Sequence, residues 1–191
     1  IVEAAAQLGV KKVRLTGGEP LVRRGIVDLT RMISAVDGIE EVVMTTNATL
    51  LAPLAKDLKA AGLSRLNISL DTLDPKRYAR LSRTGTLADA LAGIAAAREA
   101  GFTHTKFNAV LLGGLNEDEI RPLAERAKRE PVDVRFIEVM PIGFGRFEKG
   151  PTEDEVLQIL QAEYPDLAYR RDVRGNGPAV YYGSSLLLGY I

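Results

Sequence analysis

Five short runs rich in β-branched and apolar residues recur along the chain, at 10–15, 41–47, 65–71, 105–112 and 132–140. Helical spacing separates them: Ile26, Leu29, Ile33 and Val36, then Leu54, Leu58 and Ala61, then Leu87, Leu91, Ile94 and Ala95, then Ile120, Leu123 and Ala127. Gly9, Asp37-Gly38, Gly62 and Gly101 stand where these helices should stop. Strands that alternate with helices build a parallel sheet of stacked βα units, and right-handed crossovers wind that sheet one way. The expected class is therefore α/β, a partial (β/α) barrel of TIM type. A short helix is expected from Asp74-Pro75 to Leu81. Asn116 with Glu119, and Thr152 with Glu155, read as capping boxes that open two further helices. From Leu167 an antiparallel tail follows, with a loop at Arg174-Gly175-Asn176-Gly177-Pro178, and residues 186–191 look like the middle of a strand.

Functional groups of such folds collect at the C-terminal ends of the strands. The first run ends in Gly17-Gly18-Glu19-Pro20. The glycine pair permits close approach of a ligand to backbone. Pro20 restricts Glu19 to an extended shape, which leaves one carboxylate beside exposed backbone groups, suited to a small ligand's ammonium. Arg14, Thr45-Thr46-Asn47, Asn67, Ser69, Asp71, Lys106, Asn108, Arg135, Glu138 and Met140 complete the strand-end set. Within several strands these polar residues share a parity, so they face one side. Read singly, each has a plain structural explanation: Arg14 a surface residue at a turn, Lys106 a salt-bridge partner, Thr45 and Ser69 backbone caps, Met140 core filler. Jointly they describe a polar, partly cationic ligand site, in which Arg14 and Lys106 suit an anion such as a phosphate chain.

Composition narrows the classes. Lys plus Arg and Asp plus Glu both number 25, so no net charge argues for nucleic acid or an anionic membrane. No apolar run has the length of a membrane span, and no signal peptide is visible. Cysteine is absent, which excludes a thiolate metal site among these residues, and His104, the single histidine, cannot make a metal site alone. Neither a P-loop nor a Gly-x-Gly-x-x-Gly fingerprint occurs.

The ordered set Lys12-Val13-Arg14-Leu15-Thr16-Gly17-Gly18-Glu19-Pro20-Leu21, Thr45-Thr46-Asn47, Leu66-Asn67-Ile68-Ser69-Leu70-Asp71-Thr72-Leu73, Lys106-Phe107-Asn108-Ala109-Val110, Val134-Arg135-Phe136-Ile137-Glu138-Val139-Met140-Pro141 and Gly175-Asn176-Gly177-Pro178-Ala179 resembles the radical S-adenosylmethionine (SAM) enzymes and, within them, the GTP 3′,8-cyclase family of molybdenum-cofactor biosynthesis. The resemblance implies a partial barrel core over 1–150 and the start of a C-terminal extension over 151–191. It implies SAM contacts at Gly18, Ser69, Met140 and, by superfamily analogy, Glu19, and GTP contacts at Arg14, Thr45 and Lys106. It implies a cytoplasmic lyase that uses a SAM-derived 5′-deoxyadenosyl radical to cyclise GTP, with two 4Fe-4S clusters in the full-length parent and cyclic pyranopterin monophosphate synthase downstream. Such clusters need Cys thiolates. Their absence reads as truncation at both ends, with the segment alone expected to be inactive. Another radical SAM enzyme that modifies peptides or matures cofactors, or a non-catalytic nucleotide-binding module, are the alternatives.

Overall fold

The computed structural model describes residues 1–82, 84–140, 142, 149–172 and 179–191. The loop at 174–178 lies outside the described residues. Contacts divide the chain into two compact units, Ile1–Ser69 with Tyr78–Thr105, and Leu70–Arg77 with Lys106–Ile191.

The first unit opens with α1 (Val2–Gln7), β1 (Lys12–Leu15), α2 (Ile26–Ser34), β2 (Glu41–Thr46), α3 (Ala55–Ala60) and β3 (Arg65–Ser69). Helix α4 (Pro75–Ser82) precedes α5 (Leu87–Glu99). Strand β2 pairs in parallel with β1, Lys12 opposite Glu41 and Leu15 opposite Met44. It pairs with β3 likewise, Thr45 opposite Asn67 and Thr46 opposite Ile68. Val42, Val43 and Met44 are all buried, as expected of a parallel strand covered on both faces. Leu51, Leu58, Leu63, Leu66 and Ile68 fill the space around it. Each such side chain contributes roughly 1.5–3 kcal/mol on burial.

Helix α5 starts at a reciprocal capping box between Thr86 and Asp89. Asp in place of the usual Glu or Gln hid that box from sequence reading. Gly93 lets α5 approach the chain after β2 closely: a Cβ there would lie 2.1 Å from the Ala48 carbonyl oxygen.

The second unit contains β4 (Lys106–Leu111), α6 (Ile120–Arg129), β5 (Asp133–Glu138), α7 (Glu153–Glu163), β6 (Ala168–Tyr169) and β7 (Tyr182–Gly183). Strands β4 and β5 are parallel, with Lys106 opposite Asp133 and Asn108 opposite Arg135. Strands β6 and β7 form the expected antiparallel tail. The Thr152–Glu155 capping box opens α7 as expected. Leu111, Ile120, Ala124, Val156, Leu160, Tyr164, Leu167 and Ile191 form one apolar cluster. Helix α7 and the tail thus share a core with β4 and α6.

Two local expectations fail. Residues 186–191 do not form a strand. Asp166 accepts from Ser184 Oγ and Ser185 N at 2.5 and 2.7 Å, which turns the chain at that point. The chain end then folds back, with Tyr182 N donating to Ile191 O at 2.7 Å and Val134 N to Tyr190 O at 2.8 Å. Asn116 and Glu119 form no capping box, since neither side chain caps a helix. The Asn116 side chain accepts from Leu112 N at 2.7 Å and donates to the carbonyls of Asp71 (2.8 Å) and Val110 (2.9 Å). Glu119 is recruited by Thr72, Leu73 N and Arg77. Distant backbone groups that need buried partners outcompete the local cap.

Candidate functional site

Strand β1 ends in the glycine pair. Gly17 has φ of +150°, and an added Cβ at Gly17 or Gly18 would meet nothing within 4 Å. The backbone here is exposed and open to a ligand on the side where other residues carry a side chain. Glu19 follows with φ −127° and ψ 113°, the extended shape that Pro20 favours. Its Oε1 accepts from Leu21 N at 3.0 Å and from Thr46 Oγ1 at 2.7 Å, and its Oε2 from Asn47 N at 2.8 Å.

The carboxylate thus fastens the turn after β1 to the end of β2. Thr46 Oγ1 accepts in turn from Ala48 N at 3.0 Å, and Asn47 Oδ1 accepts from Thr49 N at 3.0 Å. This network holds Ala48 at φ +63°, a left-handed conformation that costs a non-glycine residue energy. A carboxylate has about four acceptor sites. One on Glu19 Oε2 remains, and no cation among the described residues pairs with Glu19.

Arg14 is the third residue of β1, exposed, and makes no ion pair among the described residues. Thr45 lies on β2 opposite Asn67 of β3. Thr45 Oγ1 and Asn67 Oδ1 are both buried with no hydrogen-bond partner among the described residues. Buried polar atoms are almost always paired, and leaving one unpaired costs roughly 1–3 kcal/mol. These two orphans stand on facing register positions of β2 and β3. Ser69 closes β3 and is exposed.

In the second unit, Lys106 departs from the strand-end pattern. It opens β4, and only residues such as Glu138 close a strand there. Shared parity put Lys106 on the same face as Asn108 but said nothing about depth along the strand. Its ammonium is buried, donating to Asp133 Oδ2 at 2.5 Å and to Tyr181 Oη at 3.2 Å. One of its three donors is left. Arg135 donates to the same Tyr181 oxygen at 3.0 Å. Burial acts to raise the Tyr181 hydroxyl, but the hydrogen bonds and charges of Lys106 and Arg135 outweigh it and hold the group below the usual tyrosine range.

Met140, past the end of β5, is 65% exposed and so does not fill the core. Glu138 accepts from Glu153 N at 3.0 Å at the start of α7. Burial pushes the Asp71 carboxyl up, against a hydrogen bond from Val110 N that favours its charged form. Sequence reasoning missed Tyr181 and the clamping role of Thr46, because both depend on partners 75 and 27 residues away.

The residues present do not fit an iron–sulfur cluster. The chain has no cysteine, and among the described residues no group of three His, Cys, Asp or Glu could hold a metal ion. Among them, too, no helix is long and apolar enough to cross a membrane.

Residues 1–127 match the Radical SAM superfamily. The chain is 46% identical over 188 residues to a GTP 3′,8-cyclase of Pelotomaculum thermopropionicum, covering 95% of this chain and 57% of that protein. It is 47% identical over 181 residues to a GTP 3′,8-cyclase of Clostridium perfringens, covering 95% and 56%. The chain thus spans little more than half the length of these relatives. Among solved structures it resembles coproporphyrinogen III oxidase of Escherichia coli, described as a radical SAM enzyme. The TM-score is 0.59 at 19% identity, over 85% of this chain and 42% of that one. The fold is a partial TIM-type α/β fold with parallel strands, as the alternating pattern led one to expect.

Proposed function

The chain belongs to the radical SAM superfamily, and from that premise we propose that it is the barrel portion of a GTP 3′,8-cyclase, a lyase of molybdenum-cofactor biosynthesis. The observation that carries this reading is the 46% identity, over 95% of the chain, to a protein of that name. Membership of the superfamily brings SAM and a 4Fe-4S cluster. The proposed whole enzyme has two clusters, with all cysteine ligands outside these residues. Its product would pass to cyclic pyranopterin monophosphate synthase.

The residues present suit SAM. The open backbone of Gly17 and Gly18 admits its methionyl group, and the remaining acceptor on Glu19 Oε2 suits its ammonium. Ser69 supplies a hydroxyl at the exit of β3, and exposed Met140 an adaptable apolar surface for the adenine. When bound, SAM supplies the adenosyl group that takes hydrogen from the substrate ribose.

For GTP, Arg14 offers an uncommitted guanidinium. Thr45 Oγ1 offers a buried hydroxyl without a partner, which a ligand acceptor would satisfy. Lys106 offers its third N–H while Asp133 orients the ammonium.

The test is equilibrium binding by the full-length protein. Arg14→Ala and Thr45→Ala are each expected to weaken GTP about 10-fold and to leave SAM affinity unchanged. Ser69→Ala should do the reverse. Unchanged GTP affinity in both of the first two variants would sink the assignment.

A further inference from the structure

Two cations of the second unit converge on one phenolic oxygen. Lys106 Nζ lies 3.2 Å from Tyr181 Oη, and Arg135 Nη2 lies 3.0 Å from it. The ring lies beneath both charges, 4.8 Å from Nζ and 6.0 Å from the guanidinium carbon. Tyr181 is only 3% exposed, so bulk solvent scarcely reaches it.

A tyrosine oxygen accepts through its lone pairs and donates one hydrogen. The two cations take the accepting side. The hydroxyl hydrogen then needs an acceptor, and among the described residues it has none. Asp133, the one carboxylate in the cluster, directs Oδ2 to Lys106 and Oδ1 to Tyr190 N. Arg135 Nε is likewise buried without a partner. Among the described residues two positive charges face one negative charge, and the third Lys106 N–H, Arg135 Nε and the Tyr181 hydrogen are unpaired donors against one unpaired acceptor, Asn108 Oδ1, which stands opposite Arg135 in the strand register. A purely structural pillar would leave no surplus of donors and charge. An anionic oxygen with several lone pairs, as a phosphate carries, would satisfy these donors.

We propose that Tyr181 is a positioning residue for a phosphate-bearing ligand: it holds Lys106 and Arg135 at fixed distances and donates its hydroxyl hydrogen to the ligand. The identity of that ligand as GTP rests on the cyclase reading, whereas its phosphate chemistry rests on this cluster alone. Tyr181 stands on the tail just before β7, so the C-terminal tail contributes directly to substrate recognition.

The experiment compares the full-length protein with its Tyr181→Phe variant by calorimetric titration of tripolyphosphate, GTP and guanosine. Phenylalanine keeps the ring under both cations and its edge contact with Tyr190 at 6.2 Å between centroids. Tripolyphosphate and GTP should bind about 10-fold more weakly, and guanosine equally well. Equal tripolyphosphate affinity in the two proteins overturns the proposal, as does an equal loss for guanosine. If tripolyphosphate weakens while wild type does not favour GTP over ATP, Tyr181 keeps its role and the cyclase reading fails. If wild type favours GTP and the variant loses nothing, the reverse holds.

Should the variant lose its cooperative melting transition, 3-fluorotyrosine at position 181 replaces it. In both proteins Lys106 from β4 and Arg135 from β5 donate to the hydroxyl, Asp133 from β5 accepts from Lys106, and Tyr190 from the tail meets the ring edge-on. Deprotonation removes the donor and adds a negative charge, so tripolyphosphate binding falls as pH rises through the hydroxyl's titration. Fluorination makes the group more acidic and should move that fall to lower pH. A superimposable pH profile overturns the proposal.

Discussion

The two units contain the same local device in different electrical settings. In the first, Glu19 accepts from the Thr46 hydroxyl and from the next amide, Asn47 N, while Thr46 Oγ1 accepts from Ala48 N. In the second, Glu119 accepts from the Thr72 hydroxyl and from the next amide, Leu73 N at 3.0 Å, while Thr72 Oγ1 accepts from Asp74 N at 3.0 Å. Each carboxylate thus fastens a threonine turn that lies after a strand, and each comes from a distant part of the sequence.

The difference is the cation. Arg77 donates to Glu119 at 3.0 Å and makes a two-pronged contact with Asp118. Glu119 is 5% exposed and shares the Arg77 cation with Asp118, whereas Glu19 is half-buried and has no partner cation among the described residues. A buried carboxylate needs internal neutralisation. A half-buried one beside an open glycine turn can leave that task to a ligand. The comparison therefore separates a clamp that serves the fold alone from one suited to serve a site as well.

The largest effect is expected from Glu119→Ala. It leaves the Thr72 hydroxyl and Leu73 N without their acceptor, at roughly 1–3 kcal/mol for each, while Arg77 keeps its two contacts with Asp118. Urea unfolding of the full-length protein reads this, and a loss below about 1 kcal/mol would break the claim that this clamp is structural. Gly93→Ala comes next. Its methyl meets the Ala48 carbonyl oxygen at 2.1 Å, so either α5 or the turn after β2 must shift, for about 1–3 kcal/mol. Since that turn carries Asn47, SAM affinity should fall with stability, and a loss of stability with unchanged SAM binding would show that α5 moves instead. The smallest stability effect belongs to Glu19→Gln. The amide still accepts through its oxygen but presents a donor to Asn47 N in a half-buried place that water can reach, for about 1 kcal/mol. SAM binding should fall by more than stability does. An equal or larger stability loss than in Glu119→Ala would erase the distinction between the two clamps.

Much of this was legible from local pattern. The alternation of β-branched runs with residues such as Ile26, Leu29 and Ile33 placed every strand and helix of the βα series within a few residues. The Thr152–Glu155 box was read correctly because both partners lie within one helical turn. Asn116 and Glu119 show the same motif with a different outcome. Their side chains met buried backbone groups near Asp71 and Thr72, about 45 residues away, that no local motif reveals. Lys106 shows a further limit. Parity gave its face, but its depth on β4 and its commitment to Asp133 and Tyr181 follow from strand register and from a tail residue far along the chain.

What the sequence determined by itself was periodicity and local chemistry: a parallel α/β chain, a glycine pair before a rigidly held carboxylate, and no thiolate for a metal. These follow from steric and solvation preferences that act over a few residues. What only the tertiary structure decided was which charges are satisfied. Among the described residues Glu19 lacks a cation and Glu119 has one, and Tyr181 gathers two cations on one oxygen. Those outcomes depend on distances between residues brought together by the fold, and no spacing along the chain encodes them.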